Sequence, residues 1–257
     1  MNFVANTVNV SNFSLVLALF LVLVALGISA KEKLGLNKDI IWAVVRTVLQ
    51  LILVGFVLRY IFQVNNVALT LFMTLFIIFN ASLQAYKRNP SQRKKFWQSF
   101  LAIFVSTAAT LAVLIFEEAI KFVPSQVIPI SGMIASNSMV AIGLCYRQMN
   151  TQFIDQRQQI LEKLSLGAPV KVASLSILRQ AIRMGMQPTI DSAKTVGLVS
   201  LPGMMSGLIF AGVDPVYAIK YQIMVMFMLL SATSLGAVIA GYFAYRNYFN
   251  QRSQLDF

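Results

Sequence analysis

The feature that most constrains this chain is a succession of apolar runs, each close to the ~20 residues a helix needs to cross the hydrocarbon core of a bilayer. Seven are legible, at 13–30, 40–62, 67–86, 96–116, 128–146, 195–212 and 218–245. The second, fifth and sixth carry polar residues. Charged side chains make up 12% of the chain and hydrophobic ones 58%, whereas a soluble domain carries about a quarter charged residues. A lipid solvent explains the missing polar coat better than an outsized core does. The expectation is an all-α fold, a polytopic transmembrane helix bundle of about seven spans, forming one domain over residues 1–257.

The charges set an orientation. Lys31, Lys33 and Lys38 follow the first run, and Lys87, Arg88, Arg93, Lys94 and Lys95 follow the third. Arg147, Arg157, Lys163, Lys171, Arg179 and Arg183 follow the fifth, and Arg246 and Arg252 the last. Sixteen of the 21 Lys and Arg residues thus fall on one side, while the opposite loops hold Arg59, Lys121 and Lys220 with Glu117, Glu118 and Asp214. Basic loops stay cytoplasmic, so the N-terminus is expected outside and the C-terminus inside. Residues 1–12 carry no charged side chain, unlike the basic start of a signal peptide. The first run therefore reads as a retained helix. The net charge of +12 serves topology and contact with anionic lipid rather than nucleic acid.

Several chemistries are excluded by what is missing. There is no histidine, and the one cysteine is Cys145, inside an apolar run. That removes an internal disulfide, a zinc or iron–sulfur cluster and any Ser–His or Cys–His nucleophile. No G-x-x-x-x-G-K-[ST] loop is present, so the chain carries no ATP motor of its own. The expectation is a transport protein with no catalytic residue and no cofactor of its own. The twelve methionines can ligate soft metals, but they also fill gaps between helices, and no metal ligand set is legible.

The sizeable segment outside the apolar runs, 150–188, reads as two amphipathic helices on the cytoplasmic side, parted by Gly167-Ala168-Pro169. Glycine suits a helix end and proline the first turn of the next helix. Glu162, Leu166, Gly167 and Ala168 would then form a stiff acidic knob; the alternative is a solvated interfacial helix. Asp191 and Lys194 are three apart and can pair on a helix. They precede the sixth run, near the cytoplasmic boundary, as a gating or structural pair. In that run Gly203 and Gly207 form a small-xxx-small pair, and Pro202 removes a backbone hydrogen bond. A moving gate and plain helix packing both fit. Arg46, Asn80 and Asn137 lie inside apolar runs and can line a pathway or hydrogen-bond between helices.

The stretch EKLSLGAPVKVAS, followed by PTIDSAKTVGLVSLPGMMSGLIFAGVDPVYAIKYQIMVMFMLL, strongly resembles the FetB family of ABC permeases, described as iron exporters. KEKLGLNKDIIWAVVRTVLQLILVGFVLRYIF and VIPISGMIASNSMVAIGLCY extend the likeness over nearly the whole chain. Plant permeases linked to aluminium tolerance look like more distant relatives. The resemblance implies a bacterial inner-membrane permease with a FetA-type ATPase partner that holds ATP and Mg, and a second permease copy in the complex. It also implies that Glu162–Ala168 couples to that ATPase and that the substrate is iron. An ATPase-independent secondary transporter or channel, and a membrane scaffold, remain open as other readings.

Overall fold

The computed structural model describes residues 12–256, so the uncharged start of the chain read above lies, up to residue 11, outside the described residues. Among the described residues nine α-helices follow one another: α1 Asn12–Lys31, α2 Asn37–Val64, α3 Val67–Lys87, α4 Phe96–Phe116, α5 Pro124–Asp155, α6 Arg157–Ser165, α7 Val170–Thr195, α8 Gly203–Phe210 and α9 Pro215–Ala244. A 3-10 turn, Tyr245–Tyr248, continues α9. Among the described residues there is no strand beyond two isolated bridges. The all-helical expectation holds.

Among the described residues five helices are long and apolar enough to cross a membrane: α2, α3, α4, α5 and α9 with its 3-10 extension. Their ends carry the local signals that stop and start helices. The Asn66 side chain accepts hydrogen bonds from the amides of Ala68 (2.8 Å) and Leu69 (3.4 Å), capping α3. Asp214 accepts from Val216 N–H at 2.8 Å, with Pro215 at the first position of α9. α8 is closed by Gly212, two residues past its end, whose φ of +88° only glycine adopts freely.

α3, α4, α5, α7 and α9 form the packed bundle, with α1 and α2 at its edge; Ile61 is the buried residue of α2. The bundle closes through small and polar side chains. Ala85, Ala102, Ala135, Ala173, Ala181, Ala232, Ala237 and Ala240 are fully buried, as are Thr70, Ser82, Ser106 and Ser138. Such residues let helix backbones approach. Several of the hydroxyls are satisfied locally: Thr74 donates to Thr70 O at 2.9 Å and Ser82 to Ile78 O at 2.6 Å, whereas those of Thr107 and Thr110 are buried without a partner. Ser138 donates across to Ala232 O of α9 at 3.3 Å. At the opposite end from Pro124, Phe153 stacks on Tyr248 with centroids 4.2 Å apart. There Arg93 forms an ion pair with Asp256, and Phe249 bridges to Leu255, folding the tail onto the α3–α4 connection.

Two expectations are corrected. The apolar run at 195–212 is not one helix: α7 ends at Thr195, residues 196–202 turn back on themselves, and α8 is 8 residues long. Gly197 (φ +82°) and Pro202 break the backbone there. Conversely, the second helix of the 150–188 segment does not stop near Pro188, which lies inside the 26-residue α7. The first helix of that segment is also divided, residues up to Asp155 continuing α5 and Arg157–Ser165 forming α6.

Candidate functional site

The path of α7 decides where the candidate residues lie. Its buried face is Ala173, Ser174, Ile177, Leu178, Ala181, Gly185 and Thr189, at spacings of one, three and four. This is one stripe of a helix with 3.6 residues per turn. It seats α7 between α5 and α9, with Gly185 against Ala141 and Cys145, and Leu178 and Ile182 against Gly241. Farther along, Thr189 and Ser192 share a cavity with Met133 and Asn137 of α5 and Gln222 of α9. Asn137 is roughly 20 Å along α5 from Pro124 at 1.5 Å per residue. The C-terminal half of α7 therefore runs beside the middle of α5 and the first half of α9.

That cavity has a volume of about 380 Å3. Pro202, Gly203 and Met204 close it from the α8 side, so Asn137, Pro202 and Gly203 of the sequence candidates meet here. Asn137 Nδ2 donates to Met133 O at 2.9 Å. Gln222 is 5% exposed, and its Oε1 is buried without a hydrogen-bond partner. A buried acceptor in that condition costs about 1–3 kcal/mol, which a hydrogen-bond donor entering the cavity relieves.

A second cavity, of about 680 Å3, lies between α2, α3 and α5. It gathers Arg46, Gln50, Asn80, Gln84 and Ser136, bringing Arg46 and Asn80 together on a polar wall. Asn80 Nδ2 donates to Phe76 O at 2.9 Å.

Asp191 and Lys194 line neither cavity. They sit on the outer face of α7, 4.0 Å apart and more than half exposed. Gln187 Nε2 donates to Asp191 Oδ1 at 2.8 Å. They lie in the last turns of α7, next along the chain to Ser192 of the first cavity. Gly203 and Gly207 have open space where a Cβ would stand. The small-xxx-small pair therefore makes no close packing within the chain. Close approach is made instead by Gly143, Gly185 and Gly241, isolated glycines that motif reading passes over.

Glu162, Leu166, Gly167 and Ala168 come together in the turn between α6 and α7. Gly167 N–H donates to Leu164 O and Ala168 N–H to Lys163 O, both at 3.0 Å, with Gly167 at φ +83°. This is the Schellman closure of a helix end, which fixes the turn's shape. Leu166 projects from it, 88% exposed, while Ile160 on the other side of α6 is buried. The turn is thus a fixed knob rooted in the core by one face and bare on the other.

Residues 12–249 match the family described as Uncharacterised protein family (UPF0014). The chain is 60% identical over 250 residues to the probable iron export permease protein FetB of Escherichia coli (strain K12), covering 97% of this chain and 96% of that protein. It is 36% identical to the UPF0014 membrane protein YjkA of Bacillus subtilis, covering 94% and 97% of the two chains. Protein ALUMINUM SENSITIVE 3 of Arabidopsis thaliana is 33% identical, over 93% of this chain and 88% of its own length. No solved structure is significantly similar to the chain. With a family match that runs from α1 to the end of the bundle and a relative 60% identical along its whole length, the chain belongs to the UPF0014 family of membrane proteins.

Proposed function

We propose that this chain is the permease subunit of an ABC transporter that moves iron out of the cytoplasm across the bacterial inner membrane. The observation that carries the reading is the 60% identity over 97% of the chain with a protein named as a probable iron export permease. The geometry supports a part driven by a separate motor. The chain has no phosphate-binding loop, and the Schellman-closed turn at Glu162–Ala168 is stiff, bare and rooted on Ile160. That is the form needed to receive a push from a cytoplasmic ATPase, which would hold the ATP and Mg. Two permease copies and two ATPases make up the proposed complex.

The proposed topology keeps seven crossings, N-terminus out and C-terminus in, with α7 and α8 together as the sixth. The basic clusters after α1, α3, α5 and α9 support that orientation. In this arrangement the Glu162 knob lies at the cytoplasmic end of α7. Movement of the knob is passed along α7 to Pro188 and the Pro202–Gly203 break beside the cavity.

The test is purification of the tagged chain from native membranes in mild detergent, with assay of the eluate for ATP hydrolysis. A co-purifying nucleotide-binding subunit with vanadate-sensitive activity is the expected result. Gly167→Trp should leave insertion intact and abolish substrate-stimulated hydrolysis. A partner-free chain that moves iron in liposomes under an ion gradient alone overturns the reading in favour of a secondary transporter.

A further inference from the structure

Residues 249–255 form a tied hairpin. Phe249 and Leu255 bridge antiparallel, and Asn250 organises the turn between them. Its backbone N–H donates to Gln254 O at 2.9 Å, and its Oδ1 accepts from the N–H groups of Arg252 and Gln254, both at 2.9 Å. Asn250 Nδ2 donates to Gln254 Oε1 at 2.9 Å. An Asn side chain bonded to nearby backbone holds a turn in this way. Arg93 clamps both ends of the hairpin, pairing with Asp256 and donating from Nη1 to Phe249 O at 3.5 Å. Leu255 packs on the same core cluster as Leu164 and Val170.

The hairpin stands against the knob. A groove of about 480 Å3 runs between them, with Leu161, Leu164 and Gly167 on one bank and Arg252, Ser253 and Gln254 on the other. Val170 and Ser253 also border a second groove, of about 360 Å3, formed with Lys171, Arg246, Phe249 and Asn250. The two grooves therefore join into one cleft. Apolar side chains lie along it, and Lys171, Arg246 and Arg252, all exposed, form its rim. Among the described residues none of these three cations has an ion-pair partner, and no Asp or Glu lines either groove. Lys171 and Arg246 lie over the rings of Tyr242 and Tyr245, each at 5.9 Å. The cleft is thus positive along its rim and lacks the carboxylates that would answer it.

We infer that knob and hairpin together form the docking cleft for the transporter's ATPase, which inserts an acidic segment carrying an apolar anchor. This rests on the ABC-permease reading and names the chemistry of the partner's contact. A protein that covers the bare Leu166 also covers the cleft, because Gly167 and Ala168 line it. Apolar side chains between two banks suit an anchor residue. The basic rim steers and orients a negative segment and rejects a basic one. Arg93 and Asn250 fix the hairpin in advance, so the cleft needs little ordering when the partner docks.

The experiment uses the whole chain, tagged at its N-terminus, purified with its ATPase in mild detergent and placed in nanodiscs with and without phosphatidylglycerol. The readout is the amount of nucleotide-binding subunit retained per permease. The parent is expected to retain it even in phosphatidylcholine alone. Lys171→Glu with Arg252→Glu should lower retention by roughly 10-fold or more, since like charges then face each other, at an unchanged melting temperature. Lys171→Arg with Arg252→Lys should keep most of it. Asn250→Ala, which unties the hairpin without altering a charge, should also lower it. Full retention by the double Glu variant overturns the inference and leaves the ABC-permease reading standing. So does a loss seen only in nanodiscs containing phosphatidylglycerol, which marks the cleft as a site for anionic lipid. A parent that retains no nucleotide-binding subunit at all overturns both.

Discussion

Gly185 brings α7 so close to α5 that an added Cβ would stand 2.6 Å from the carbonyl oxygen of Ala141 and 3.1 Å from Cβ of Cys145. A backbone oxygen cannot rotate away as a side chain can, so the helices must part. Gly185→Ala is expected to lower stability by about 2 kcal/mol, seen as a lower melting temperature in detergent. Gly207→Ala, where nothing lies within 4 Å, should go the other way, by about +0.5 kcal/mol from reduced backbone entropy. Equal effects at both sites would show that the α5–α7 contact is looser than described.

Gln98 and Asn247 exchange a pair of amide hydrogen bonds that ties the start of α4 to the 3-10 turn. Gln98 Nε2 donates to Asn247 Oδ1 at 3.1 Å and Asn247 Nδ2 donates to Gln98 Oε1 at 2.7 Å, both residues being buried. Gln98→Leu strands the Asn247 amide, and Asn247→Leu leaves Gln98 Oε1 unpartnered while its Nε2 keeps Phe243 O at 2.9 Å, each at about 1–3 kcal/mol. The double variant should cost less than the sum of the two, with a coupling of roughly 1 kcal/mol in a thermal-melt cycle. Strict additivity would deny the pair.

The Asp191–Lys194 pair separates stability from transport. At more than half exposure it contributes at most about 0.5 kcal/mol, so Asp191→Asn and Lys194→Gln should melt within about 2 °C of the parent. ATP-dependent iron uptake in vesicles should nonetheless fall for both. Unchanged uptake would remove the pair from the pathway.

Cys145 is fully buried between α5 and its neighbours, its Sγ 3.9 Å from Ala237 O of α9. A maleimide should leave it unmodified in the folded protein and modify it completely in SDS. The rate of labelling during heating then reports opening of the bundle at its centre.

Much of the architecture is legible as apolar runs, because α2, α3, α4, α5 and α9 are apolar enough to be seen by length and composition. α7 escapes that reading. Its outer residues Arg179, Arg183, Asp191 and Lys194 dilute its apolar content, while its inner ones are mostly Ala, Ser, Gly and Thr. The signal was present in the spacing of Ala173, Ala181, Gly185 and Thr189, which a search for bulky residues misses. The run at 195–212 errs in the opposite sense. It is apolar enough for a span, yet Gly197 and Pro202 leave its first third without a helix. The knob at Glu162–Ala168 was legible because Gly-Ala-Pro fixes a helix end by local chemistry alone. Gln222 was not, since its unpartnered oxygen is a property of what surrounds it.

The two-faced character of α7 also bears on how the protein is made. A helix with a row of charges on one side and small residues on the other dissolves poorly in lipid and is a weak signal to the insertion machinery. Its neighbours must act as its solvent. Seven small or aliphatic side chains, from Ala173 to Thr189, wait for surfaces that only α5 and α9 provide. Biogenesis of the domain is therefore expected to pass through a stage in which α7 stays at the membrane surface until α9 has been threaded. Only then do the two settle together against α5.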